Sequence, residues 1–289
     1  MSYHTLQKLA VRMLFDEAFV AATHANADEA LAGVDLTEAE RAQLLAVDRR
    51  AWRYDALRRR RTLRTLAEEF KISTTVILAE TRSLASLEQF FSSSFFHQSI
   101  QNRGSLARAF SEFLLDGYQR KQWSAPQIPD LVRLEVAIAA CRRTLAREGE
   151  DEVGELPANI SDRARVKLAP GYDVASFQAN VIETIQHVER YLFELSLMPA
   201  MALCDDAPQL TSLPEVDAQK KAYLLFSPGA SGISITNLDR AAYLVLYDAK
   251  RAVEIRSLLA RPGGTKASAT RAQEVLSEWL ENGALRLIE

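Results

Sequence analysis

Residues 222–250, AYLLFSPGASGISITNLDRAAYLVLYDAK, decide the architecture of the C-terminal part of the chain. The apolar run 222–226 is short and bounded, which suits a buried strand. SPGASG (227–232) is turn chemistry, and Ile233-Ser234-Ile235 alternates as a returning strand. Asn237 is expected to cap a helix containing Ala241, Ala242 and Val245. A second helix is predicted over about 252–260, ended by Arg261-Pro262-Gly263-Gly264. A third starts near Thr270, where Gln273 completes a capping box. It places Ala272, Val275, Leu276, Trp279 and Leu280 on one face. Asn282-Gly283 stops it, and Leu285–Ile288 is a closing strand. A hairpin, three short helices and a final strand make a winged-helix-like unit.

Upstream the period is helical. Leu6, Leu9, Ala10, Met13, Leu14 and Ala18 form one face of a helix over 6–24. Thr37-Glu38-Ala39-Glu40 is a capping box opening a helix through Leu44, Leu45 and Val47. Further helices are expected over 56–70, 73–90, 104–123 and 130–147. EGEDEVGELPAN (148–159) reads as an acidic loop, and 166–171 as a short strand ending in a Pro-Gly turn. A long helix is predicted from about Val174 to Leu195, after which Pro199, Pro208 and Pro214 punctuate a connector. The fold class is therefore mainly α with a small α+β part. The predicted organisation is a helical domain (1–147), a connecting segment with a long helix (148–214), and a winged-helix-like module (215–289).

Composition narrows the class. Net charge is -3 with both signs interspersed, which gives no global attraction to nucleic acid or anionic membrane. Only Cys141 and Cys204 occur, so no disulfide framework is indicated. The N-terminal apolar run is broken by Lys8, Arg12, Asp16 and Glu17, unlike a signal peptide. These features predict a cytoplasmic protein without a membrane span.

Catalytic chemistry is sparse. His4, His24, His97 and His187 stand far apart, and the spacing of Glu183 and His187 is common on exposed helix faces. No metal site and no catalytic residue is assigned. Cys141 falls on the apolar face of its helix, as a small hydrophobe would. Gly263-Gly264-Thr265-Lys266 lacks the strand and glycine spacing of a phosphate loop.

Two features suit binding. Arg49, Arg50, Arg53, Arg58, Arg59, Arg60, Arg61 and Arg64 form a dense cationic run, and four consecutive arginines on a helix point in every direction. Arg58, Arg60 and Arg61 are candidates for docking an acidic partner surface, against the alternative of a solvated face. Phe90, Phe91, Phe95 and Phe96 fit either core or an exposed partner patch. A DNA-binding regulator is the alternative function for a winged helix. The third helix offers Arg271 and Gln273 but also Glu274, Glu278 and Glu281, which would repel phosphates.

The stretch from AYLLFSPGASGISITNLDRAAYLVLYDA to AQEVLSEWLENGALRLIE resembles the leader-peptide recognition modules of ribosomal-peptide modification systems. FSEFLLDG, IPDLVRLEVAIAACR and VKLAPGYDV resemble the small partner proteins of TIM-barrel multinuclear non-haem iron enzymes. DLTEAERAQLLAVDRRAWRYDALRRRRTL is similar to the subgroup accompanying 3-thiaglutamate biosynthesis (TglI-like). This resemblance implies a noncatalytic subunit of a heterodimer with no independent activity. It would bind a ribosomally made carrier peptide and present its cysteine for β-carbon excision with dioxygen. The iron would belong to the barrel subunit, with no cofactor in this chain. The peptide would pair with a sheet edge beside a helix, at Leu224, Leu225, Phe226, Ile233, Ser234 and Ile235, near Arg271 and Glu274.

Overall fold

The computed structural model describes residues 3–53, 56–148, 161, 163–178, 180–197, 209–217, 219–229, 232–260 and 266–288. The chain is mainly helical with a small antiparallel part, and it divides into two compact units. One comprises Met1–Val132 with Tyr191–Leu210, the other Arg133–Arg190 with Thr211–Glu289. These units cut the chain differently from the boundaries drawn on the sequence.

The first unit begins with α1 (Tyr3–Phe15) and α2 (Glu17–Ala25), where the sequence period suggests one helix. Asp16 separates them, because its carboxylate accepts from the Phe19 amide and caps α2. The short α3 (Ala27–Ala30) leads to α4 (Glu38–Ala46), opened by the expected Thr37–Glu40 capping box. Then come α5 (Ala56–Glu69), α6 (Lys71–Thr81), α7 (Ala85–Glu88), α8 (Ser94–Gln101) and α9 (Leu106–Gln119). The helix predicted over 73–90 stops early because Arg82 adopts a left-handed conformation (φ 53°) at the end of α6.

Aromatic rings fill this core. Phe90, Phe91 and Phe96 are at most 1% exposed and Phe95 is half-buried, so three of the four rings are interior rather than part of a surface patch. Phe90 packs edge-on against Phe96 and Phe110 at 5.4 and 5.1 Å between ring centres. Each such ring contributes on the order of 2–3 kcal/mol through burial. Trp123 donates its Nε1–H to the Leu114 carbonyl (3.0 Å), which satisfies the polar end of a buried indole.

α10 (Ile128–Glu148) carries the chain into the second unit. There β1 (Arg165–Leu168) and β2 (Asp173–Gln178) precede α11 (Val181–Leu197), β3 (Lys221–Gly229) and β4 (Gly232–Leu238). α12 (Arg240–Asp248), β5 (Val253–Glu254), α13 (Ile255–Leu259), α14 (Lys266–Glu281) and β6 (Leu285–Ile288) complete the order. The hairpin, three helices and closing strand occur in the expected sequence. Three details differ. Residues 173–178 are a strand, not the start of the long helix, because they pair with β3 along their whole length. Asp239 caps α12 by accepting from the Ala242 amide, while Asn237 lies in β4. α14 starts at Lys266, which leaves Thr270 inside it.

Two three-stranded antiparallel sheets result, ordered β5-β1-β6 and β2-β3-β4. Strands from the segment read as a connector thus complete both sheets. Val166, Leu168, Val174 and Leu225 share one core with Leu246, Ile255, Leu258, Val275, Leu276 and Leu280. That core binds both sheets to α12, α13 and α14 through buried apolar area.

Candidate peptide-binding edge

β3 is the central strand of its sheet, flanked by β2 and β4. Leu224, Leu225 and Phe226 are each at most 1% exposed. Val174 and Thr236 sit opposite Leu225, while Phe177 and Phe226 pack edge-on at 6.1 Å. Their backbone ladders are occupied on both sides, so these three residues support the sheet and cannot offer an edge. Leu224, Leu225 and Phe226 therefore drop out of the candidate peptide contacts.

Ile233, Ser234 and Ile235 do lie on an edge. β4 pairs with β3 on one side, and among the described residues no strand pairs on the other. Pro228 opposes Ile233, and proline has no amide hydrogen, so that pair is of the non-hydrogen-bonded type. Alternation then makes Phe226–Ile235 and Leu224–Asn237 non-hydrogen-bonded as well. The amides and carbonyls of Ile233, Ile235 and Asn237 accordingly point away from β3, towards the open side. Those of Ser234 point back to Ser227. Pro228 is tolerated because it lies past the last β2 partner, Asp173 opposite Phe226, where β3 has one neighbour.

The edge also lacks the usual protection. From Gly232 to Leu238 there is no charged side chain and no proline, and Ser234, Ile235, Thr236 and Asn237 are exposed. Open strands in monomeric proteins are ordinarily blunted by lysine, proline or a bulge. Thr236 and Asn237 were missing from the sequence-derived contacts, although the uncharged run GISITN carried the signal.

Helix α12 brings a second element close. Tyr223 on β3 stacks on Tyr243 at 4.6 Å, and Tyr243 meets Tyr247 at 5.5 Å, one helical turn on. Tyr247 is 49% exposed. This ladder was also unforeseen, although the i, i+4 spacing of the two helix tyrosines is visible in the sequence.

α14 carries the remaining candidates. Its inner face places Val275, Leu276 and Leu280 in the core, while Gln273, Glu274 and Glu278 are exposed. The side chain of Arg271 lies outside the described residues. The exposed acidic groups oppose a phosphate backbone there.

The arginine run divides by position on α5. Arg58 lies over the Phe15 ring at 5.9 Å. Arg59 lies over Phe91 at 5.3 Å and reaches Glu17 at 3.7 Å. Arg60 and Arg61 are exposed. Part of the run therefore packs on the protein, and Arg60 with Arg61 forms its solvent face.

Among the described residues no group of three or more His, Cys, Asp or Glu side chains could hold a metal ion. Burial, and then the nearby Asp173 charge, push the Cys141 thiol up to about 12, with Lys250 offsetting only part of this. His187 Nε2 lies 2.9 Å from the Thr211 hydroxyl. Among the described residues no helix is long and apolar enough to cross a membrane. In comparisons with known proteins, no family model and no curated protein sequence matches this chain.

Proposed function

We propose that this chain is a noncatalytic peptide-binding subunit, which takes up an extended carrier peptide as an added strand along β4. The observation that carries this reading is the open, uncharged edge from Gly232 to Leu238, with three residues presenting their backbone groups outward. Main-chain hydrogen bonds along such an edge supply affinity, and side-chain pockets supply selectivity. By its resemblance to the partners of TIM-barrel iron enzymes, the chain presents the cysteine of that peptide to an iron-bearing subunit for β-carbon excision. The iron resides in that second subunit, and Arg60 and Arg61 are the docking residues best placed for its acidic surface. This is the chemistry of 3-thiaglutamate-type biosynthesis in a cytoplasmic setting.

The test is a titration of a fluorescein-labelled carrier peptide from a 3-thiaglutamate-type system, followed by anisotropy. Ile235→Pro removes an outward amide and leaves the β3 ladder intact, so it should weaken binding at least tenfold in a folded protein. Normal binding by folded Ile235→Pro sinks the strand-addition reading. Failure of the chain to co-purify with a co-expressed barrel subunit sinks the heterodimer reading.

A further inference from the structure

The open side of β4 is complementary to itself. Its outward backbone groups belong to Ile233, Ile235 and Asn237, spaced evenly about Ile235. A second copy of β4 laid antiparallel along this edge therefore offers the same donors and acceptors at the same spacing. With a two-fold axis at Ile235, the two Ile235 residues form one hydrogen-bonded pair. Ile233 then meets the second copy's Asn237 on either side of it. Each such pair exchanges two bonds, so every outward amide of the strand finds a carbonyl. Moving the axis to Ser234 or Thr236 leaves one outward residue of each strand with no opposite between Gly232 and Leu238.

Charge and side chains suit this register. No ionisable side chain lies between Gly232 and Leu238, so the two-fold brings no like charges together. Ile235 stands opposite the fully buried Phe226, yet is itself 37% exposed. Among the described residues it is the one exposed large apolar side chain on a strand. Pairing sets the two Ile235 side chains beside each other and completes an apolar row from one Phe226 to the other. On the opposite face the exposed Ser234 meets the second copy's exposed Thr236, a cross-strand pair that can hydrogen-bond.

We propose that, without a guest strand, two copies of this chain pair through β4 across this axis, joining two three-stranded sheets into one. Self-pairing stands on the edge alone, whereas its regulatory consequence rests on the peptide-binding reading. The second copy takes the donors and acceptors that a carrier peptide would use, so self-association and peptide uptake exclude each other. One strand of seven residues per copy is a small contact. Small interfaces are transient, so the dissociation constant should be on the order of 100 µM.

Sedimentation velocity of the full chain, over a roughly hundredfold concentration range spanning that constant, tests the proposal. The mean mass should rise from monomer towards dimer. Ile235→Lys keeps every backbone donor but sets like charges opposite each other at the axis, and Ile235→Pro removes the central amide. Both should remain monomeric throughout, with circular dichroism confirming that they fold; should Ile235→Pro unfold, Ile235→Lys decides alone. A monomeric wild type at every concentration overturns the proposal, as do variants that associate like wild type. Saturating fluorescein-labelled carrier peptide should return the wild-type dimer to monomers carrying one peptide each. A dimer that binds peptide and keeps its mass overturns the mutual exclusion. Self-association lost in Ile235→Lys, in a chain that binds no peptide, upholds the self-pairing and sinks the peptide reading alone.

Discussion

His97 Nε2 lies 3.0 Å from Asp16 Oδ2, which ties α8 to the N-terminal cap of α2. The contact is close but falls outside hydrogen-bond geometry. Asp16 also accepts from the Phe19 amide (3.0 Å), the Ser92 hydroxyl (3.0 Å) and Arg12 Nε (3.4 Å). Burial alone would push this carboxyl up. The close His97 contact, with the hydrogen bonds from the Phe19 amide and the Ser92 hydroxyl, outweighs it and holds the carboxyl down to about 2, from 3.8.

A depressed carboxylate stabilises the fold above its unfolded value and ceases to do so as pH falls through its folded value. Asp16 should therefore contribute about 2 kcal/mol at neutral pH, lost between roughly pH 4 and pH 2. Urea unfolding of wild type and Asp16→Asn across that window checks it. The variant should be less stable at pH 6 and should lack this part of the acid dependence. Parallel acid profiles in the two proteins would contradict the assignment.

Gly117 in α9 exists for a ring. A Cβ there would stand 2.0 Å from Trp123 Cζ2. Alanine in place of helical glycine ordinarily adds about 0.5–1 kcal/mol of stability. Here overpacking should reverse the sign, and Gly117→Ala should cost about 1–3 kcal/mol in thermal or urea unfolding.

The two ends of the arginine run should behave oppositely. Arg59→Gln loses the Phe91 ring contact and the Glu17 ion pair, and should cost about 1 kcal/mol in urea unfolding. Arg60→Gln should change stability by less than about 0.5 kcal/mol. It should instead weaken association with an acidic partner, and the effect should vanish as salt rises. Equal stability losses in both variants would make the whole run structural.

Proline at neighbouring positions of β4 should separate edge from ladder. Ser234→Pro removes an amide that faces Ser227 within the hairpin and should lower the melting temperature. Ile235→Pro removes one facing the open side and should melt close to wild type. Comparing the two by circular dichroism reads the hydrogen-bonding parity of the strand directly. A melting temperature lower in Ile235→Pro than in Ser234→Pro would reverse the assigned parity.

Local chemistry made much of this protein legible. The Thr37–Glu40 box, the Pro-Gly turn after β1, the hairpin and the closing strand each depend on residues a few positions apart, and the structure contains them. The phenylalanine run was ambiguous because a ring's exposure depends on what packs over it. The sequence likewise located two strands at 222–226 and 233–235 without ranking them. Tertiary pairing alone decided that β2, from far upstream, covers one side of β3. That makes Leu224, Leu225 and Phe226 interior and leaves Ile233, Ile235 and Asn237 facing outward. The same long-range pairing set Lys167 opposite Arg286. A strand's period of two says which side chains share a face. Which edge stays open depends on hydrogen-bond partners tens of residues away, and no local pattern encodes them.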